Sequence, residues 1–255
     1  MADRALFSAA IITKNEEKRL PGCLESVSFA EDIVVVDSGS TDNTVRIAQE
    51  FGCRVFVEEW KGFGPQKNSA IEKCRYEWVL LLDADERVTE EAKEVIVRTL
   101  RRPAAAAYRL NMKHYFHDKW IRHSGYWPDP HVKLVNKTKG RFHGPIHEKW
   151  LSDGPVQDLD ASIAHYGFSD YADMLKTLDE YSTIISMELF AAGKQVSPFS
   201  PLSHGVGMFL KIYFLQMGVL DGFDGLVIAL TKAGGSFFKY AKLLELQRQN
   251  KTQGQ

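Results

Sequence analysis

The chain has 255 residues, of which 44% are hydrophobic and 25% charged, and its formal net charge is −1. That length holds one large domain, or one domain with a helical appendage, and the composition excludes a disordered or fibrous chain. A net charge so close to zero argues against a general nucleic-acid binder.

Residues 1 to about 100 alternate between strand and helix patterns. Residues 6–12 read as a first strand, and residues 16–28 as a helix that Pro21-Gly22 divides into two short pieces. Residues 33–37, Ile-Val-Val-Val-Asp, form a second strand, followed by a helix over 41–51 with Ser40, Thr41 and Asp42 as capping candidates. Residues 54–57 give a third strand, and 65–74 a helix with proline in its first turn. Residues 78–82 form a fourth strand that runs into Asp83-Ala84-Asp85, and 89–100 a capped helix. The second and fourth strands lack the alternation of a half-wet sheet, so both read as buried parallel strands. In an open α/β sheet ligands bind beyond the carboxyl ends of such strands, where Asp37, Asp83 and Asp85 stand.

From about 107 to 165 short β-prone runs broken by Gly, Pro and Asn predict an antiparallel extension, and seven of the eight histidines fall there. From 169 onward the spacing of Met174, Leu178, Tyr181 and Ile185 predicts helix. The expected organisation is a domain over 1–168 and a helical region over 169–255, the latter an acceptor, membrane or oligomer surface. Residues 232–251 hold five basic residues and one acid, with Phe237, Phe238 and Tyr240 among them, a pattern suited to an anionic membrane surface. The cysteines Cys23, Cys53 and Cys74 have neither zinc spacing nor a disulfide framework, which favours a reducing compartment. The first residues lack a signal-peptide pattern, and no run of about 18 apolar residues reads as a membrane span.

Three segments carry a family resemblance: Ile11-Ile12-Thr13-Lys14-Asn15-Glu16, Val35-Val36-Asp37-Ser38-Gly39-Ser40-Thr41-Asp42-Asn43-Thr44, and Asp83-Ala84-Asp85. Together they resemble the family 2 glycosyltransferases. Gly125-Tyr126-Trp127-Pro128-Asp129, Lys133-Leu134, His147-Glu148, Gly218-Val219-Leu220-Asp221-Gly222 and Lys239-Tyr240-Ala241-Lys242 resemble a bacterial branch typified by lipopolysaccharide-core β-1,4-glucosyltransferases. The resemblance covers roughly the whole chain. It implies an α/β fold of the GT-A type: a Rossmann-like, mostly parallel sheet with a small antiparallel extension and a C-terminal helical region.

The resemblance also implies roles. Asp37 meets the nucleoside of a UDP-sugar, or else caps the following helix; Thr13 and Glu16 complete the nucleoside wall, though Glu16 also suits a helix start. Lys67 faces the pyrophosphate or solvent. Asp85 binds Mn²⁺ or Mg²⁺, Asp83 meets ribose or metal, Ala84 lets the backbone approach the ligand, and His147 or His165 completes the metal shell. Inverting transfer to a hydroxyl needs a base, assigned to Glu148 with Asp129 as the second candidate. The implied activity is transfer of a hexose, glucose from UDP-glucose, to a saccharide hydroxyl of a lipid-linked acceptor such as lipopolysaccharide core. Other readings are a polyprenyl-phosphate or peptide acceptor, and a catalytically silent nucleotide-sugar-binding scaffold. The expected location is cytoplasmic, peripheral at the inner face of the plasma membrane, with a homo-oligomer possible and no nucleic-acid partner.

Overall fold

The computed structural model describes residues 6–144, 148–168 and 170–253, the side chains of 251–253 excepted. Parallel pairing joins β1 (Ser8–Thr13) to β2 (Asp32–Asp37) and β4 (Trp78–Asp83), and β2 to β3 (Arg54–Val57). Beyond β4 the sheet continues through β8 (Pro130–Asn136), β6 (Ala107–Phe116), β11 (Val156–Phe168) and β5 (Glu86–Val88), in the order β3-β2-β1-β4-β8-β6-β11-β5, with β4–β8, β8–β6 and β11–β5 antiparallel. A short β7 (Lys119–Trp120) pairs with β6, and β9 (Gly140–His143) with β10 (Lys149–Ser152) makes a separate two-stranded sheet.

Successive strand residues point to opposite faces, and here both faces are dry. Ala9, Ile11, Val35, Leu80 and Leu82 pack with Leu20, Leu24, Ala92, Ile96 and Leu100, which belong to helices α1 (Leu20–Ser26) and α4 (Glu90–Arg101). Ala10, Ile12, Val34, Val36, Val79 and Leu81 pack with Ala70 and Ile71 of α3 (Phe63–Lys73). Two apolar layers explain why these strands read as unbroken hydrophobic runs.

Several boundaries differ from the sequence expectation, for local reasons. Pro21 sits in the first turn of α1 and does not interrupt it, because the amide it lacks is one that a first turn leaves unpaired anyway. Helix α2 spans only Thr44–Glu50: Asp42 accepts from the Thr44 amide at 3.0 Å, while Ser40 is taken by the Asp37 carboxylate. Thr89 caps α4 as expected, accepting from the Ala92 amide at 3.1 Å.

The chain divides into two compact units, the described residues of Met1–Lys113 with Pro128–Gly167 and those of His114–Trp127 with Phe168–Gln255. The segment from His114 to Trp127 thus packs with the helices α5 (Tyr171–Ala191), α6 (Ser200–Leu210) and α7 (Gly222–Gln253). Phe116, Ile121, Met174, Ile212, Ile228 and Ala229 form the core of this second unit. The buried Asp221 pins the 119–124 loop by accepting from the His123 amide at 3.0 Å and from Ser124 Oγ at 3.3 Å. Lys242 ties α7 to α5 through Asp179 Oδ1 (2.6 Å), Ser182 Oγ (2.9 Å) and Thr183 Oγ1 (2.6 Å), so its ammonium is committed inside the unit. Among the described residues no single helix is long and apolar enough to cross a membrane; Ser200–Leu215 with Gly218–Asn250 passes that test only as a pair bent by 69°.

Candidate active site

The first two motifs meet as adjoining loops at the ends of β1 and β2. Asn15, held at φ 55°, a left-handed conformation that asparagine tolerates, accepts from the Thr41 amide at 2.8 Å and donates its own amide to Ser40 Oγ at 2.7 Å. The Glu16 amide donates to Thr44 Oγ1 at 2.8 Å, and Glu17 accepts from the Asn43 amide at 3.0 Å. The Glu16 carboxylate pairs with Arg19 at 3.2 Å, three residues along the chain.

Thr13 and Asp37 lie side by side in register. Asp37 is fully buried; its Oδ1 accepts from the amides of Gly39 (2.9 Å) and Ser40 (2.8 Å), and Oδ2 from Ser40 Oγ. In this conformation Asp37 shapes its own loop, and its carboxylate is not open to a ligand. Thr13 Oγ1, by contrast, is buried without a hydrogen-bond partner.

The third motif ends β4. Asp83 Oδ2 faces two ammonium groups, Lys133 Nζ at 3.7 Å and Lys67 Nζ at 3.8 Å, while its Oδ1 is buried with no hydrogen-bond partner. Burial alone would push this carboxyl up; the two lysines outweigh it and hold it down at about 2, so Asp83 stays ionised. Burial opposes charge on Lys67 as well, and Asp83 and Glu148 overcome it, raising its pKa. Lys133 also donates to both oxygens of Glu86, at 2.6 and 2.5 Å, inside the sheet where both side chains are buried. Burial raises the Glu86 carboxyl, and Lys133 opposes that rise.

Ala84 is buried between the two aspartates, and Asp85 Oδ2 lies 3.2 Å from His165 Nε2 on β11. Burial works against a proton on His165, but the Asp85 hydrogen bond and the charges of Asp85 and Glu86 prevail and raise its pKa. Lys67 Nζ reaches Glu148 Oε1 at 2.5 Å. That reach depends on α3 lying tight against the end of β9: Asn68 and Phe142 exchange two hydrogen bonds of 2.8 Å, and a Cβ on Gly64 would meet the Gly144 carbonyl oxygen at 2.3 Å. A cavity of about 310 Å³ opens here, lined by Lys67, Arg109, His131, Lys133, Glu148 and Trp150 among others. Asp129 is half-buried and bonded to His131 Nε2 at 2.9 Å.

The structure therefore gathers Lys67, Asp83, Asp85, Glu148 and His165 in one unit and places Thr13 and Asp37 at the neighbouring strand ends. His147 lies outside the described residues. Sequence reasoning assigned no role to Lys133 or Glu86. A signal existed, because Lys133 interrupts the apolar run Val132–Val135, and a cation in such a strand needs a buried anion. Among the described residues no three His, Cys, Asp or Glu side chains form a metal cage. The donors present still fit a hard divalent cation of the kind held by one or two carboxylates, with substrate phosphates and water completing the shell. Asp83 Oδ1 is an unpartnered buried oxygen, and Asp85 stands one residue beyond Ala84.

Carboxylates at the ends of parallel strands, beside a lysine-lined cavity, stand where an α/β enzyme binds its ligand. The glycosyl transferase family 2 profile matches residues 8–153. A glycosyltransferase of Rickettsia bellii is 31% identical, covering 95% of this chain and 87% of its own. The lipopolysaccharide core biosynthesis glycosyltransferase LpsC of Rhizobium meliloti is 28% identical, covering 96% and 94%. Two solved structures share the fold at 16% identity and TM-score 0.50: S. aureus TarS 1–349, covering 96% of this chain and 92% of that one, and the Mycobacterium tuberculosis glucosyl-3-phosphoglycerate synthase, covering 77% and 82%. The chain belongs to glycosyl transferase family 2, and it is a glycosyltransferase of the GT-A fold.

Proposed function

We propose that this glycosyltransferase moves a hexose, glucose from UDP-glucose, with inversion onto a saccharide hydroxyl of a lipid-linked acceptor of the lipopolysaccharide-core kind. The observation that carries the reading is the pair Asp83 and Asp85 at the end of β4, with Lys67 lying 3.8 Å from Asp83 and 2.5 Å from Glu148. LpsC, similar along nearly its whole length, supports the acceptor class. The Mycobacterium synthase was solved with Mn²⁺ and UDP, and the reading extends that pair to this chain.

Asp85 and Asp83 hold Mn²⁺ or Mg²⁺, with a histidine, His165 or His147, in support. When bound, the cation neutralises charge on the departing diphosphate. Thr13, with its free buried hydroxyl, lines the nucleoside wall alongside Glu16 and the loop that Asp37 shapes. Ala84 keeps the turn narrow where the ribose lies. Lys67 and Lys133 keep Asp83 ionised, and Lys67 presents positive charge to the pyrophosphate. Glu148 takes the acceptor hydroxyl proton as the new bond to the anomeric carbon forms and the bond to UDP oxygen breaks. Asp129, bonded to His131, orients the acceptor. The domain over 1–168 binds donor and performs transfer at the cytoplasmic face of the membrane, and the helical region over 169–255 meets the lipid-borne acceptor.

One observation favours a second acceptor class. Lys67 occupies the Glu148 oxygen at 2.5 Å and competes for the site a proton would take. An acceptor that is already anionic, such as a polyprenyl phosphate, needs no base.

The test is a panel of UDP-sugars, scored for thermal stabilisation and for slow UDP release with Mn²⁺. UDP-glucose is expected to give the largest effect, and at a hundred times its Kd to add about 2.7 kcal/mol. Stabilisation without any UDP release would identify a binding scaffold, and no response to any UDP-sugar would sink the donor assignment.

A further inference from the structure

The bend between α6 and α7 exposes apolar side chains where a water-facing elbow ordinarily carries polar ones. On α6, Leu202, Val206 and Leu210 recur every four residues as an exposed stripe, with Phe199 exposed just before them. The opposite face of α6 is the packed one: Gly205 is buried against Ala233 and Phe237 of α7. The stripe therefore faces outward because of how the helices pack. Exposure peaks in the elbow, where Leu215 is 80% and Phe223 69% exposed, with Leu220 between them. Exposed apolar side chains concentrated along one helix and its bend mark a binding surface.

Charge and composition indicate what covers it. Between Glu188 and Asp221 the sequence has no acidic residue, while Lys211, one turn before Leu215, is an exposed cation. Asp221 is buried in the loop it pins, and Asp224 is paired with Lys119 at 2.9 Å. The elbow thus presents apolar side chains with one cation, Lys211, beside them, and its own two acids are buried or paired. Its most exposed residues, Leu215 and Phe223, flank the bend of a helix pair whose combined length and composition suit a bilayer. The basic stretch of α7 is less available, since Lys242 is bonded to α5 and Lys232 lies over the Tyr126 ring at 3.9 Å.

We infer that the α6–α7 elbow, residues 210–223, is a wedge that enters the interfacial layer of an anionic bilayer, with Lys211 at headgroup level. This deepens the lipid-linked-acceptor reading by naming the surface that meets lipid. Its test reads lipid contact without sugar transfer, so either idea fails on its own.

The experiment uses the full chain and vesicles of phosphatidylcholine with or without phosphatidylglycerol. Leu215→Trp is expected to show, over the parent signal, a blue shift and quenching by bromine placed high on the acyl chains, stronger with the anionic lipid. Leu215→Asp with Phe223→Asp is expected to weaken vesicle binding by at least roughly tenfold, while circular dichroism and UDP-sugar binding match the parent. Leu215→Ser provides a milder variant should the double change fail to fold, and it is expected to reduce binding less. Absence of vesicle binding, an unshifted Trp at 215 in vesicle-bound protein, or a solution dimer that the Asp variants dissociate would each overturn the inference.

Discussion

Lys133→Met offers the sharpest test of how the site is held. The substitution keeps side-chain length and removes one cation from the buried cluster of Lys133, Glu86 and Asp83. Both members of the Lys133–Glu86 pair are about 95% shielded from water, and the ammonium gives Glu86 two short hydrogen bonds. Removing one partner of such a pair leaves an uncompensated buried charge, which costs about 3–5 kcal/mol. For a domain of this size that corresponds to a fall in melting temperature of roughly 6–20 °C. The sign of the pH dependence follows. Burial already raises the Glu86 carboxyl, and losing Lys133 raises it further, so the folded variant binds a proton more readily than the unfolded chain. The deficit is then largest at pH 7.5 and shrinks as pH falls towards 5. Adding Glu86→Leu is expected to recover most of the loss, because an apolar pair of similar volume replaces a buried ion pair at little cost. The assay is thermal melting of parent, single and double variants at both pH values. A single variant as stable as the parent, or a double variant no better than the single, would refute the reasoning.

Asp85→Ala is expected to abolish metal-dependent UDP binding and turnover while melting normally, and EDTA is expected to do the same to the parent; full activity in either condition rules out the metal assignment. Glu148→Gln is expected to keep UDP-sugar affinity and lose transfer by ~10²–10⁴-fold, with Asp129→Asn doing less through acceptor positioning. Reversed effects would exchange the two roles, and indifference to both would favour the anionic acceptor. Glu58 accepts from Lys73 (2.5 Å), Ser69 (2.6 Å) and Lys61 (3.0 Å), which hold its carboxyl down at about 2. A depressed carboxyl contributes stability above its unfolded pKa and loses it as pH falls through the folded value. The parent is thus expected to lose stability between pH of about 4.5 and about 2, and Glu58→Gln to lose less over that window; equal acid sensitivity in urea unfolding would contradict this.

The sequence by itself determined the four parallel strands β1 to β4, with their carboxyl ends correct to within one residue. Val34 to Val36 and Val79 to Leu82 are apolar without alternation because both sheet faces are covered, and that pattern is local enough to read directly. Asp37, Asp83 and Asp85 were legible for the same reason: each follows a buried strand whose carboxyl end is fixed by the run before it. Tertiary structure alone decided what those carboxylates face. Asp37 turns its oxygens to Gly39 and Ser40, a choice made by loop geometry that no spacing encodes. Lys67 meets Glu148 81 positions along the chain, and Lys133 meets Glu86 47 positions away, because α3 docks on β9 and β8 lies beside β4. His165 reaches Asp85 only because β11 pairs antiparallel with β5, a three-residue strand too short to leave a periodic signal. The segment from His114 to Trp127 reads as more of the β extension, yet it joins the helices because Phe116 and Ile121 enter their core and Asp221 holds the loop between. Hydrophobic periodicity records which face of an element is dry. Partner choice among charged side chains depends on distances that exist only after the sheet has closed its register.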